Sequence, residues 1–184
     1  MKVIGIVGSH NPEGNTAEMV SGFLEGAESR GAETSIFILG KMEINPCYAC
    51  EACRGGNGCI QQDGMQGLYR ALEDADHVVL GSPIYFDHIA ARTKAFIDRL
   101  YPYYQNRRLG LTQTIIQTYG WDQPGEYAEP LEYVRSRLKH YFNIETTGTL
   151  NIHGTVGSPV TERPEELERA RNLGEACVGA QGSQ

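Results

Sequence analysis

The chain has 184 residues, 40% of them hydrophobic and 21% charged, ordinary values for a globular domain with a sizeable core. Its formal net charge is −7, which excludes a general binder of nucleic acid or anionic membrane, since phosphate contacts need a cationic surface. No apolar stretch reaches the roughly 20 residues that span a bilayer, the first residues carry no long h-region or small-residue cleavage site, and cytoplasm is the expected location.

Residues 2–7, KVIGIV, read as a first strand that ends at Gly8. A turn-rich segment, 9–15, precedes a helix over 16–30, where Met19, Val20, Phe23, Leu24 and Ala27 paint one face and Gly31 supplies the stop. SIFIL, 35–39, reads as a second strand. Residues 41–63 hold Cys47, Cys50, Cys53 and Cys59 without a clear period, which predicts an ordered cysteine-rich loop. A helix is expected over 64–75, then a third strand over 77–81 broken by Ser82-Pro83. Helix 90–101, strand 112–118, helix 130–142 with Pro130 in its tolerant first turn, strand 147–152 and helix 165–178 follow. The tail, 180–184, is expected to fray.

Five strands separated by helices predict an α/β fold, a doubly wound parallel sheet covered on both faces. No internal repeat and no long linker divides the chain, so one domain, 1–184, is expected.

In such sheets ligands sit beyond the carboxyl ends of the strands. GSHNPEGNT, residues 8–16, lies there, between a strand and a helix N-terminus, and offers Ser9, Asn15, Thr16 and backbone N–H groups to a phosphate. It is neither a Walker loop nor the dinucleotide fingerprint. Its competing reading is a plain hydrophilic turn with an N-cap. GSPIYFDH, 81–88, and TYGWD, 118–122, share that edge and combine small residues with stacking aromatics. Three such turns on one crevice suit a ligand with a phosphate at one end and a flat ring at the other, the shape of FMN.

Cys47, Cys50, Cys53 and Cys59 spell C-x2-C-x2-C-x5-C. Three thiolates at steps of three can face one compact cluster, and the glycine-rich return R-G-G-N-G lets the fourth close it. In the bacterial ferredoxin run the fourth cysteine serves a second cluster; here no second set exists, so a single [4Fe–4S] cluster fits. Zinc competes, although its sites usually pair two knuckles across a longer gap. The odd fifth cysteine, Cys177, falls on the apolar stripe of the last helix and reads as a core thiol. His88 and His153 receive no role. No Ser-His-Asp order or carboxylate pair supports a hydrolase.

GSHNPEGNT, INPCYACEAC…GCIQQDGM and ADHVVLGSPIYF…TKAFIDRLY resemble the iron-sulfur flavoproteins, relatives of the NADPH-dependent FMN reductases in the flavodoxin-like superfamily. The resemblance implies strand order 2-1-3-4-5, noncovalent FMN, and a homodimer or homotetramer. It implies that Ser9, His10, Asn11, Asn15, Thr16 and Ala17 surround the phosphate. Pro83, Ile84, Tyr85 and Phe86 would then lie along the ring, with Thr118, Tyr119 and Gly120 closing the other side. Two departures stand out. His10-Asn11 occupies positions where the family often has Arg, which either weakens phosphate affinity or leaves the charge to backbone dipoles. Asp63-Gly64 stands where two acidic residues are common. Related flavin reductases also keep cysteines without a cluster, which leaves an empty site as a further reading.

The function expected is electron transfer from a one-electron donor such as ferredoxin, through a [4Fe–4S] cluster and FMN, to a quinone, oxygen or peroxide. No acid–base residue is required. The rivals are an NAD(P)H-dependent FMN or quinone reductase without a cluster, and a zinc-clipped binding module without redox chemistry.

Overall fold

The computed structural model describes residues 1–104 and 109–179; the fraying expected of 180–184 lies outside them. Among the described residues the strands are β1 (Lys2–Val7), β2 (Glu33–Ile38), β3 (His77–Tyr85), β4 (His88–Ile89), β5 (Thr112–Thr118) and β6 (Glu145–Ile152). The helices are α1 (Asn15–Ser29), α2 (Met65–Asp74), α3 (Ala91–Asp98), α4 (Ala128–Phe142) and α5 (Pro164–Gly179). The parallel sheet runs β2-β1-β3-β5-β6, with β4 paired antiparallel to β3 off that path.

Alternation along β1 explains the two layers. Ile4 and Ile6 join a core formed with residues of α2, α3 and α4, whereas Val3 and Val7 join the core under α1 and α5. The predicted face of α1 is buried as expected. After Arg30, Gly31 takes φ +84, and the N–H groups of Gly31 and Ala32 bond back to Glu28 and Ala27 oxygens, closing the helix in a Schellman arrangement.

The sheet has six strands rather than five, and β3 is not broken at Ser82-Pro83 but continues to Tyr85. β1 stops pairing at Gly81, so Pro83 sits where no neighbour asks for its missing N–H. Its carbonyl accepts from Ala90 N–H at 3.1 Å on that vacated side. Strand β2 starts at Glu33, ahead of its apolar run, and is an edge strand with Ile36 40% exposed. Helix α3 ends at Asp98, short of 101, and gives way to a 3-10 turn, Tyr101–Tyr103, that contains Pro102. Strand β6 begins at Glu145 because a register shift at Gln113/Thr114 carries its pairing back to the start of β5. On α4 the buried stripe ends on Phe142, leaving Tyr141 exposed.

Candidate functional site

The first loop sits at the carboxyl edge of β1 and is braced by its own side chains. Asn11 N–H donates to Ser9 Oγ at 3.2 Å, and Glu13 N–H donates to Asn11 Oδ1 at 3.0 Å. Gly8 N–H bonds Gly81 O at 2.8 Å, tying the loop to β3. Gly40 packs beneath it so closely that a Cβ there would lie 2.1 Å from His10 Cα. His10 itself is exposed. No side chain caps the N-terminus of α1, whose N-cap is Gly14, so its first-turn N–H groups keep the partial positive charge that suits an anion. No Lys or Arg lies in residues 8–17.

Two of the expected phosphate residues spend their side chains elsewhere. Asn15 Nδ2 donates to Thr155 O at 3.3 Å, and its Oδ1 accepts from Val160 N–H at 2.9 Å. Thr16 shares a 2.6 Å hydroxyl contact with Thr118 on β5, both being 3% exposed. This bond brings the first and third expected loops together. Ala17 is covered, backbone and side chain alike.

The second loop divides in two. Pro83 and Ile84 lie within β3 and are buried, whereas Tyr85 is 61% exposed and Phe86 fully so. Phe86 (φ +48) and Asp87 (φ +64) form the two-residue turn between β3 and β4, a conformation that asparagine and glycine adopt more readily. In the third loop Tyr119 is 3% exposed, its hydroxyl donates to Gln123 O at 3.1 Å, and its ring meets Tyr127 edge-on at 4.7 Å. Its ring therefore belongs to the core, and Gly120, Trp121 and Asp122 are the exposed part of that loop.

A fourth segment, 153–160 after β6, escaped the sequence reading. Thr155 N–H bonds Tyr119 O at 3.0 Å, Gly154 N–H bonds Trp121 O at 2.9 Å, and His153 Nδ1 lies 3.0 Å from Asp122 Oδ1. Val156, 86% exposed, lies against Gly120. The glycines at 154 and 157 following a strand were the available signal.

The four clustered cysteines line a single cavity of about 350 Å³ together with Tyr48, Gln61, Arg99 and Tyr101. Cys47 and Cys50 are exposed, Cys53 and Cys59 half-buried. Left-handed residues Ala49, Glu51, Gly56 and Gly58 coil the segment around its one short 3-10 turn, Ala52–Gly55. Ala49 N–H points at Cys47 Sγ from 3.5 Å. Burial raises the Cys53 thiol above its usual range, its backbone hydrogen bond opposes this, and the charges of Cys59, Cys47 and Cys50 add to the rise. Among the described residues no three His, Cys, Asp or Glu side chains are gathered tightly enough to hold a metal ion. The donor set and the shared cavity suit a thiolate-held group; the thiols do not yet converge on one point.

The base of this segment is tightly closed. Asp63 accepts from Asn45 N–H and Met65 N–H, both at 3.0 Å, and forms a buried pair with Arg99. Gln61 Nε2 donates to Pro46 O, and Gln66 Nε2 to the carbonyls of Cys59 and Gln61. Cys177 is half-buried on α5, donates to Gly174 O at 3.1 Å, and burial pushes its thiol up to about 11. A separate hollow of about 340 Å³ between α3 and α4, walled by Tyr101, Tyr104, Tyr133 and Tyr141, includes His88 but none of the residues expected to bind FMN.

The sequence matches the family described as NADPH-dependent FMN reductase over residues 1–129. It is 32% identical over 185 residues to an iron-sulfur flavoprotein of Archaeoglobus fulgidus, covering 98% of this chain and 80% of that one. An iron-sulfur flavoprotein of Methanocaldococcus jannaschii is 39% identical over 102 residues, 55% of this chain and 53% of the relative, so there the match spans about half of each. Among solved structures, an NAD(P)H:quinone oxidoreductase from Methanothermobacter marburgensis superposes with a TM-score of 0.78 at 18% identity over 96% of both chains, a likeness of fold.

Proposed function

The chain belongs to the iron-sulfur flavoprotein family within the NADPH-dependent FMN reductases and is a flavin-dependent oxidoreductase, and from that premise we propose that it binds FMN and a [4Fe–4S] cluster and carries electrons from a one-electron donor such as ferredoxin to a quinone, oxygen or peroxide. The observation that carries this reading is the common cavity of Cys47, Cys50, Cys53 and Cys59, walled by a buried guanidinium. When bound, the cluster supplies single-electron exchange and the flavin one- or two-electron exchange.

The chain's own part is position and burial. The backbone N–H groups of Ser9 and His10 and those of the uncapped α1 terminus hold the phosphate of FMN, with the Thr16–Thr118 pair closing the floor. Pro83 and Ile84 support the ring through the backbone, Tyr85 and Phe86 flank it, and Gly120 admits it closely on the other side. Tyr119 acts through its main chain. Within the single unit 1–184, the segment 41–63 serves as the cluster-binding loop. No helix among the described residues is long and apolar enough to cross a membrane. The exposed Phe86, Trp121 and Val156 around the crevice support assembly into a homodimer or homotetramer.

A second reading, a flavin or quinone reductase using NAD(P)H with empty cysteines, draws support from the thiols' failure to converge. Anaerobic purification followed by visible spectroscopy and assay of iron, sulfide, zinc and flavin separates the two. About four irons and four sulfides per chain beside flavin support the cluster; flavin without iron supports the second reading; zinc without flavin overturns both. Cys50→Ala removes the iron and leaves the sheet folded if the ligand assignment is right.

A further inference from the structure

One wall of the cysteine cavity is a guanidinium. Arg99 lines it beside all four clustered thiols and is 1% exposed. Burying an arginine is costly unless its charge is paired and its five N–H donors find partners. Here Nη1 donates to Asn45 O at 2.8 Å and to Asp63 Oδ2 at 2.7 Å. Nη2 donates to Asp63 Oδ1 at 3.1 Å and faces Cys59 Sγ at 3.5 Å, while the buried Nε has no partner.

A clamp that only closed the loop would be complete with Asp63 and Asn45. The Asp63 carboxylate already takes two main-chain N–H groups besides the guanidinium. What remains over is the Nη2 edge toward sulfur and a bare Nε donor, on a residue that shares its cavity with the four thiols and with Tyr48, Glu51, Gln61, Asp98 and Tyr101. That surplus matches an anion, and the potential of a thiolate-held cluster responds to charge and hydrogen bonds at its sulfurs.

We propose that Arg99 is the counter-cation of the cysteine site, orienting Cys59 and favouring negative charge in the cavity, so that it raises the reduction potential of the group held there. The inference rests on the cluster reading only for its redox consequence; the cationic field acts on the bare thiols as well. Arg99 is thus a positioning residue.

The test uses the full chain in three forms: unaltered, Arg99→Lys, and Asp63→Asn/Arg99→Gln, which replaces the ion pair with two neutral amides. In metal-free protein, alkylation of Cys59 by anionic iodoacetate and neutral iodoacetamide is followed by peptide mass spectrometry. Their rate ratio is expected to be about threefold or more higher in the folded unaltered chain than in urea, as a nearby cation requires. The double variant loses that preference and Arg99→Lys keeps it. In iron-loaded protein the double variant reduces at a more negative potential than the unaltered form. A ratio equal in folded and urea-treated chains overturns the inference without need of any variant. So does an unchanged potential in an iron-loaded double variant. An unaltered chain that shows the charge preference but takes up no iron sinks the cluster reading and leaves Arg99 as the cation of the cavity.

Discussion

Arg99 and Asp63 meet through two parallel hydrogen bonds of 2.7 and 3.1 Å, with side chains 1% and 3% exposed. Burial pushes the Asp63 carboxyl up, but Arg99 and the N–H groups of Asn45 and Met65 overcome this and hold it below its usual range. Breaking one half of such a pair strands the other charge. Asp63→Ala is expected to cost roughly 3–5 kcal/mol in metal-free protein. The neutral double replacement should cost clearly less, and urea denaturation of the two variants measures the difference.

The Thr16–Thr118 hydroxyl bond joins the helix that follows the first loop to the strand that carries the third. Thr118→Val leaves the Thr16 hydroxyl buried and unanswered, a loss of about 1 kcal/mol. FMN should bind about fivefold more weakly to apoprotein, as read by flavin fluorescence titration. An unchanged Kd would place the pair away from the flavin.

Phe86 holds a left-handed backbone conformation while its ring stands in solvent. Phe86→Asn relieves backbone strain of about 1 kcal/mol and removes an aromatic face. Thermal denaturation of apoprotein should shift upward while FMN affinity falls. A variant whose stability and affinity move the same way would contradict the division of roles.

His77 is 1% exposed; its ring nitrogens reach Thr112 and Thr114 hydroxyls at 2.8 and 3.1 Å, and its ring stacks on Phe23. Burial lowers its pKa from the usual 6.5 to about 4. Between those values the unfolded chain binds the extra proton, so this contribution is complete above about pH 6.5 and is lost as pH falls toward 4. The loss amounts to about 3 kcal/mol. Denaturation midpoints at pH 7 and 5 should differ in the native chain, and His77→Asn should flatten that slope.

The helices and parallel strands were legible because their residues repeat with one face toward a core. Met19, Val20, Phe23, Leu24 and Ala27 announce α1 without tertiary help. The continuation of β3 through Pro83 was not legible, because a proline's meaning depends on whether a neighbour needs its N–H, and β1 ends first. The β3–β4 turn was hidden for a related reason: Phe86 and Asp87 lack the residue types that usually signal positive φ. In the site, spacing picked out the four cysteines, yet Arg99 lies 40 residues beyond Cys59 and reads in sequence as one more basic residue of a helix. Asp63 likewise gained meaning only from its partners. Thr16 and Thr118 were both named, but their bond spans 102 positions and no local pattern encodes it.

The excursion that carries the cysteines leaves and returns through one narrow gate. Gly64 N–H bonds Glu43 O at 2.8 Å, Asn45 N–H bonds Asp63, and Gln61 reaches Pro46. With its ends pinned together, residues 47–60 behave as a cartridge plugged into the sheet. Lengthening the Arg54–Gly58 return adds only the slowly growing entropy of a longer loop and leaves β2 and α2 where they are. The chain can therefore vary the cysteine-bearing segment without redrawing the sheet and helices around it.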